Sequence, residues 1–272
     1  MITTYRRILN QQQTWAEKHG IKFDENGYTL SLNDNLFCPL SPRSEEEFRA
    51  GRGDELSKGK MQALHSSSAL VVNVFEYWRG RNVDFIAQAC GASKGATSLH
   101  FERTYPTRLG GIPPHLDVVF YNPLFRPLAI EAKFTEPYHR KTKRHIKDKY
   151  LDSSLWKGLA GCESLVRLIR KEETGKTSFS FLDVPQLLKH ILGLTAKFGK
   201  RGFELLYLWY DYPSLEAEKH RQEIRDFEKS ISSEVLFREM TYQELFVKTR
   251  DNTRASADYV NYLAERYFKT SI

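Results

Sequence analysis

The sequence contains few cysteines, and they are not arranged in pairs. Cys38, Cys90 and Cys162 are the three present, they lie far apart, and no CxxC motif occurs. This pattern argues against a disulfide framework and against a cysteine-based zinc site. Unpaired cysteines fit a reducing compartment best, so we expect a cytoplasmic protein.

Long apolar runs are absent as well. The chain has no uninterrupted apolar stretch of the roughly 18 residues that a transmembrane helix needs, so we expect no membrane partner. The first residues lead into Gln11, Gln12 and Gln13 rather than into an apolar signal core, so the sequence does not indicate secretion. Neither an internal repeat nor, after residue 60, a low-complexity linker is present, which favours a single large domain.

The composition is typical of a folded protein with an excess of positive charge. Of the 272 residues, 40% are hydrophobic and 13% are aromatic, which argues against extensive disorder. The formal net charge of +7 is compatible with a polyanionic partner such as nucleic acid. Many cytoplasmic proteins are mildly basic, so the charge alone does not identify the partner.

The hydrophobic pattern predicts helices alternating with strands after a loop-rich start. Residues 1–60 are predicted to form a leader with short helices, one at 14–19 and one after Ser41. The elements predicted beyond it are a helix at 67–79, strands at 97–104, 116–121 and 128–134, helices at 154–171 and from 183, a buried strand at 203–210, a helix at 215–230, a short strand at 235–237 and a C-terminal helix. We therefore expect one α/β domain over residues 61–272.

Three charged residues interrupt two of these strands, which are otherwise apolar. Asp117 lies in the strand at 116–121, and Glu131 and Lys133 lie in the strand at 128–134. If the two strands form a hairpin centred on Leu124, Asp117 faces Glu131. Because side chains alternate along a strand, Glu131 and Lys133 then share one face. This register brings two carboxylates and an amine together and leaves the other face apolar.

Such a group of side chains has the chemistry of a metal-dependent phosphodiesterase. Carboxylate oxygens are hard ligands that suit Mg²⁺ or Mn²⁺. A bound ion of this kind polarises a phosphodiester and acidifies a bound water, and the ammonium of Lys133 can orient that water. The spacing alone is explained equally well by a structural ion pair between an acidic residue and Lys133 on a partly exposed strand.

The residues around these strands resemble the PD-(D/E)XK nuclease superfamily, whose members have a restriction-endonuclease-like core. Asp117 matches the aspartate of the motif, Glu131 its acidic residue and Lys133 its lysine. The chain departs from the motif because His115 and Leu116 separate Pro114 from Asp117. The predicted element order over residues 66–230 is also similar to that core, and the stretches 65–75 and 186–190 resemble a bacterial restriction-endonuclease-like branch.

The resemblance implies an α/β fold with a mixed central sheet and helices on both faces. It also implies additional site residues, because members often carry another acidic residue before the second strand. Glu102, on the preceding strand, Glu55, in a loop, and Glu76, on the first helix, are the candidates for this further metal ligand. Glu102 and then Glu55 are favoured, and a structural role explains each of the three when it is taken singly. Some members place a glutamine near the metal from the following helix, which makes Gln186 a supporting candidate. Gln186 and His190 lie on one helical face, and a solvated polar pair explains them equally well.

A basic run follows the two strands. Arg140, Lys141, Lys143, Arg144 and Lys147 are the candidates for contact with the DNA backbone, since arginine and lysine bind phosphates without reading sequence. A solvated loop or helix face would have the same composition, so the run is no proof of DNA binding.

Together these features predict a divalent-metal-dependent DNA endonuclease acting in restriction, phage defence or DNA repair. The alternative is a catalytically inactive nucleic-acid-binding protein of the same fold. RNA remains a possible substrate. A homodimer is a further expectation, because many enzymes of this type act as dimers to cut both strands. The sequence itself does not indicate which surface would form the dimer.

Overall fold

The computed structural model describes residues 2–51, 54–111, 113–141, 145–172, 178–251 and 254–268. The helices are α1 (Thr4–Lys18), α2 (Pro42–Ala50), α3 (Ser67–Phe75), α4 (Val83–Ala89), α5 (Ala160–Glu172), α6 (Val184–Phe198), α7 (Leu215–Ile231), α8 (Tyr242–Arg250) and α9 (Ala257–Leu263). The strands are β1 (Ser98–Thr104), β2 (His115–Tyr121), β3 (Leu128–Lys133), β4 (Glu204–Trp209) and β5 (Leu236–Thr241).

The five strands form one mixed sheet in the order β1-β2-β3-β4-β5. The first three strands are antiparallel neighbours, whereas β4 and β5 are parallel to β3. Helices α5 and α6 connect β3 to β4, and α7 connects β4 to β5, as parallel pairing requires. The predicted α/β class with a mixed sheet is therefore confirmed.

Helices pack on both faces of this sheet. On one face, Phe75 of α3 contacts Phe120 of β2 edge to face. On the other face, His190 of α6 lies against Glu131 of β3, and His220 of α7 bonds to Tyr207 of β4. The central strands are thus covered on both sides, which explains why β4 is almost entirely apolar.

The register of β2 and β3 agrees with the hairpin predicted from the sequence. Val118 pairs with Ile130 and Phe120 pairs with Leu128, so Asp117 faces Glu131 by continuation. The turn between these strands is fixed by Asn122, whose side-chain oxygen accepts hydrogen bonds from two backbone amides of the turn. The two carboxylates therefore lie on one sheet face because the hairpin register places them there.

Several elements differ from the prediction. Helix α1 spans Thr4–Lys18 rather than 14–19, helix α5 begins at Ala160 rather than at 154, and β5 continues to Thr241. Helices α4 and α8 were not predicted. The α5 prediction was wrong because residues 153–156 form a 3₁₀ turn and Gly158 has a positive φ, which ends that turn before the helix begins.

The first 60 residues contribute to the same hydrophobic core as the sheet. Three of the residues buried in it are Ile8 of α1, Leu36 of the loop before α2, and Phe48 of α2. The prediction that the chain divides at residue 60 into a leader and a nuclease-like domain 61–272 stays a prediction. Over the described ranges, none of the helices is both long and apolar enough to cross a membrane.

Candidate active site

Acidic side chains from three neighbouring strands lie in one row across the sheet. Asp117 of β2 faces Glu131 of β3 on one side. On the other side it faces Glu102 of β1, because the flanking residues Phe101 and Arg103 pair with Val118 and Leu116. The row lies on the sheet face that α6 covers. On the next strand, Tyr207 of β4 pairs with Glu131 and extends the row by one residue. Register therefore aligns one acidic residue from each of three neighbouring strands.

Glu131 is buried between two nitrogen-containing side chains. Its side chain is 1% exposed, Oε1 accepts a hydrogen bond from Lys133 Nζ, and Oε2 lies 2.8 Å from His190 Nε2. Burial opposes ionisation of Glu131, but the charge of Lys133 and the neighbouring His190 lower its pKa. Glu131 is therefore an ionised carboxylate in the protein interior, which its two partners stabilise.

Lys133 is held in its charged form. Burial opposes the charged form, yet the carboxylates of Glu131 and Glu136 raise the pKa of Lys133 well above its ordinary value. Its side chain is 13% exposed, so it reaches the surface of the site. An ammonium of this kind donates hydrogen bonds and stabilises negative charge, and it does not accept a proton.

Asp117 has the opposite electrostatic environment. Its Oδ2 accepts a hydrogen bond of 2.7 Å from the backbone amide of Ala132. Burial, followed by the charges of Glu131 and Glu102, raises the pKa of Asp117 well above its ordinary value, and Lys133 only partly offsets this effect. Part of the Asp117 side chain remains accessible. The site thus has a partly open carboxyl group whose ionisation would be favoured by an added cation.

The substitution Asp117→Asn is expected to stabilise the free protein at neutral pH by about 0.5–2 kcal/mol, a gain typical of relieving strain at a functional site. The raised pKa means that the folded state binds a proton more tightly than the unfolded state does. The wild type therefore loses stability as pH rises from the unfolded pKa of about 4 through the folded value, whereas the asparagine variant does not. Urea unfolding in EDTA at pH 5 and pH 8 measures the difference. Equal stability of the two proteins at pH 8 would contradict the repulsion between Asp117 and the neighbouring carboxylates of Glu131 and Glu102.

Of the candidates for a further acidic ligand, Glu102 belongs to this row and Glu55 lies close to it. Burial raises the pKa of Glu55, and the charges of Glu102 and Glu136 raise it further, while a hydrogen bond from Ser68 lowers it. Glu102 also lies 3.3 Å from His115. The proximity of Glu55 and Glu102 agrees with the predicted region of the site, and their roles as ligands stay predictions.

The structure reveals two site neighbours that the predicted set does not contain. His190 is 2% exposed and lies directly against Glu131. Gln186 instead donates a hydrogen bond from its backbone amide to the Asp183 side chain. Glu136 accepts a hydrogen bond from the amide of Phe134, just beyond β3. The four-residue spacing of Gln186 and His190 was the available signal, but it could not say which of the two faces the sheet.

The predicted DNA-contacting residues have different environments. Arg140 is exposed in a cleft of about 550 Å³ that Arg7 and Lys219 also line. Lys141 forms an ion pair with Asp183 at the start of α6. Lys147 is exposed, and its charge helps to lower the pKa of Lys189, after the larger effect of burial. Lys143 and Arg144 lie outside the described residues.

The side chains fit a hard divalent cation that is held by few protein ligands. Within the described parts of the chain, no group of three or more histidine, cysteine or acidic side chains converges as a complete metal cage. Mg²⁺ is usually bound by one or two carboxylates, with water and substrate phosphates filling the other positions. Oε2 of Glu131 lies 2.8 Å from His190 Nε2, and a carboxylate oxygen has a second lone pair with which it can bind a cation. Together with Asp117 it supplies two oxygen donors of the required type.

Comparison with known proteins assigns the family. The model of the family described as Restriction Endonuclease associating with ARP (REase-ARP) matches residues 8–268. Neither the curated proteins nor the solved structures gave a significant match. The match covers the whole sheet, including Asp117, Glu131 and Lys133, and supports the restriction-endonuclease-like resemblance. The chain belongs to the REase-ARP family.

Proposed function

We propose that this protein is a divalent-metal-dependent endonuclease that hydrolyses phosphodiester bonds of DNA. Membership of a restriction endonuclease family supports a nuclease or restriction-type function. The observation that carries the finer proposal is the placement of Asp117, Glu131 and Lys133 on one sheet face, with opposite electrostatic environments. A structural ion pair needs only Glu131 and Lys133, so it would leave the disfavoured charge of Asp117 unexplained.

In this proposal Asp117 and Glu131 bind Mg²⁺, or Mn²⁺ in its place, and Glu102 or Glu55 is a further ligand. When bound, such an ion polarises the phosphodiester and lowers the pKa of a bound water. Lys133 donates hydrogen bonds to the attacking water or to a phosphate oxygen, and it stabilises the negative charge that develops as the phosphorus–oxygen bond forms. His190 holds the Glu131 carboxylate in place, as outer residues do for metal ligands.

The exposed cations around the site would hold the substrate. Arg140 and Lys147, which are exposed, would contact phosphates, with Lys141, Lys143 and Arg144 as the remaining candidates of the same run. The setting that we propose is restriction, phage defence or repair in the cytoplasm, with a homodimer as the form that cuts both strands. The family description also names association with ARP, which makes ARP a candidate partner of this chain.

Cleavage of supercoiled plasmid tests the proposal directly. We expect wild-type protein to nick or linearise the plasmid with Mg²⁺ or Mn²⁺ and to be inactive in EDTA. Glu131→Gln should lower the rate at least about 100-fold, because it removes a charged ligand without changing the shape of the side chain. Glu17→Gln, which changes an exposed carboxylate on α1 in the same way, is the matched control and should cut like wild type. Comparing the cleavage of single-stranded DNA and RNA substrates of the same sequence would show which nucleic acid the protein prefers.

One observation favours the alternative of a catalytically inactive DNA-binding protein. Glu131 already has Lys133 and His190 as partners, so its charge is compensated without a metal ion. In that case, DNA would bind with a steep dependence on salt, but neither metal ion would support cleavage. Equal cleavage by wild type and Glu131→Gln would instead overturn the assigned site.

A further inference from the structure

The backbone of β1 changes direction at Glu102, which is the β1 member of the acidic row. Glu102 has a φ of +52°, in the left-handed region that a residue with a side chain seldom adopts. Regular alternation would put Arg103 on the same face as Phe101. Instead, the Arg103 guanidinium lies beside the hydroxyls of Tyr105 and Tyr121, which raise its pKa against the opposing effect of burial, and Tyr121 belongs to the opposite face. The unusual backbone at Glu102 thus redirects Arg103, which is a common use of such a distortion near a functional site.

This redirection completes an open cleft between β1 and α6, here named the β1–α6 cleft. It has a volume of about 340 Å³. Its lining consists of cations, two tyrosines and small residues of α6, and the ones used below are Arg103, Arg108, Lys197, Tyr105, Tyr121 and Gly193. Gly193 lets α6 sit directly on β1, because a Cβ there would lie 2.1 Å from the carbonyl oxygen of Tyr105. The floor of the cleft is therefore a close backbone contact and not a loose gap.

The β1–α6 cleft has an excess of positive charge. In the part of the chain that the structure describes, no ion pair joins Arg103, Arg108 or Lys197 to a carboxylate. The Arg108 guanidinium donates a long hydrogen bond of 3.5 Å to the carbonyl oxygen of Ala196. Lys197 is exposed at the rim. Three cations without a carboxylate partner around one concave surface favour an anionic ligand.

The tyrosine pair adds a hydrogen-bond donor to these charges. The hydroxyl oxygens of Tyr105 and Tyr121 are 2.6 Å apart, so one hydroxyl donates to the other. Arg103 lies beside both hydroxyls, and a guanidinium has donors only, so it cannot accept the second hydroxyl hydrogen. Burial and the neighbouring Tyr121 raise the pKa of Tyr105, so its hydroxyl keeps its proton. The second hydroxyl hydrogen therefore points to an acceptor outside this group, as a phosphate oxygen would be.

Helix α6 connects the β1–α6 cleft to the candidate active site. The same helix carries His190, which lies against Glu131, and Lys197, which lines the cleft. Seven residues of α-helix separate them, which is about 10 Å along the axis. Consecutive phosphates of one strand are separated by at least the rise of about 3.4 Å per nucleotide, so at most about three nucleotides span this separation. A strand with one phosphate at the acidic row can therefore place another in the cleft.

We propose that the β1–α6 cleft binds a phosphate of the nucleic-acid strand that the Asp117–Glu131 site cuts. This inference rests on the proposed nuclease function and adds a defined backbone contact outside the basic run 140–147. Arg103 and Lys197 supply the charge, and the tyrosine pair supplies a hydroxyl donor. The contact reads no base, so it contributes affinity and register without sequence preference.

Binding of a fluorescein-labelled DNA duplex in EDTA tests the proposal without requiring cleavage. Fluorescence anisotropy is measured between 50 and 200 mM KCl for wild type, Lys197→Ala, Arg108→Ala and the double variant Arg103→Ala/Lys197→Ala. We expect weaker binding of the cleft variants, with a slope of log K against log salt that becomes shallower by about 0.9 for each phosphate contact removed. The matched control, Arg225→Ala/Lys229→Ala on the exposed face of α7, removes the same charge and should keep the wild-type slope.

The outcomes separate this inference from the proposed function. If wild type cuts DNA and all cleft variants keep its affinity and salt slope, the cleft proposal is overturned while the nuclease proposal stands. If wild type does not cut, but the cleft variants alone lose salt-dependent binding, the cleft proposal stands without the nuclease. Because Lys197 is exposed, Lys197→Ala keeps the test valid should the Arg103 variant fail to fold. Saturable binding of a free mononucleotide that Lys197→Ala abolishes, with strand binding unchanged, would show a nucleotide pocket and overturn the proposal.

Discussion

Replacing Lys133 by methionine is expected to lower the rate of Mg²⁺-dependent DNA cleavage at least about 100-fold while DNA binding in EDTA is retained. Methionine keeps the length and the apolar stem of the side chain but removes the ammonium. That ammonium is fixed by the buried Glu131 carboxylate and is 13% exposed. It is therefore positioned to stabilise negative charge in the transition state, and no other described cation bonds to Glu131 Oε1. Single-turnover cleavage of a labelled duplex at saturating protein measures the loss.

The separation of cleavage from binding is the informative part of this result. If Lys133 acts only in the chemical step, kcat falls and the affinity for DNA stays near that of wild type. The double variant Lys133→Met/Glu131→Gln should lose little more than either single variant, because residues that act as a unit are not additive. Lys229→Met, an exposed lysine on α7, is the control. Wild-type cleavage by Lys133→Met would show that the Glu131–Lys133 pair is structural.

The hairpin that carries the site could be predicted from the sequence because its determinants are local. Two short strands around a turn have few possible registers, and the apolar face selects one of them. Asp117 therefore faces Glu131 as predicted, with Lys133 beside it. The identity of the superfamily followed from the same three residues, and the family match agrees with it.

The partners of the site residues could not be predicted, because they come from packing between distant elements. His190 reaches Glu131 only after α6 folds onto the sheet, 59 positions along the chain. Spacing within α6 places Gln186 and His190 on one face but does not rotate that face toward the strands. The left-handed backbone of Glu102 has no sequence signal either, since glutamate rarely adopts it. Tertiary context decided each of these features.

Helix α8 is a different case, because its signal was present in the sequence. Thr241 and Glu244 form a capping box, in which each side chain bonds to the backbone amide of the other residue. The spacing T-x-x-E before an amphipathic stretch is a known start signal for a helix. The capping box therefore marks the start of this helix in the sequence alone. By contrast, α1 has a polar surface with a narrow buried stripe, and its packing partners are at the far end of the chain.

The buried arginine of the C-terminal segment explains how those partners are joined. Arg266 is 0% exposed, and its guanidinium donates to Gln12 of α1 at 3.0 Å and to the backbone carbonyl of Asn35 at 2.9 Å. It also bonds to the Asn35 side chain and to the hydroxyl of Tyr262, and it lies 4.4 Å from the Trp15 ring centroid. Neutral acceptors and aromatic faces stabilise the cation here. The planar fork of arginine matches several acceptors at once, which a lysine cannot do.

Replacing Arg266 by alanine is therefore expected to lower the free energy of unfolding by about 3–5 kcal/mol, because the substitution leaves buried acceptors without donors. A protein of this size should lose about 10 °C in Tm. Arg266→Lys should recover only part of the loss, whereas the exposed control Arg225→Ala should melt like wild type. Thermal unfolding followed by circular dichroism measures all three. A wild-type Tm for Arg266→Ala would mean that the Arg266 guanidinium contributes nothing to holding α1 and the C-terminal segment together.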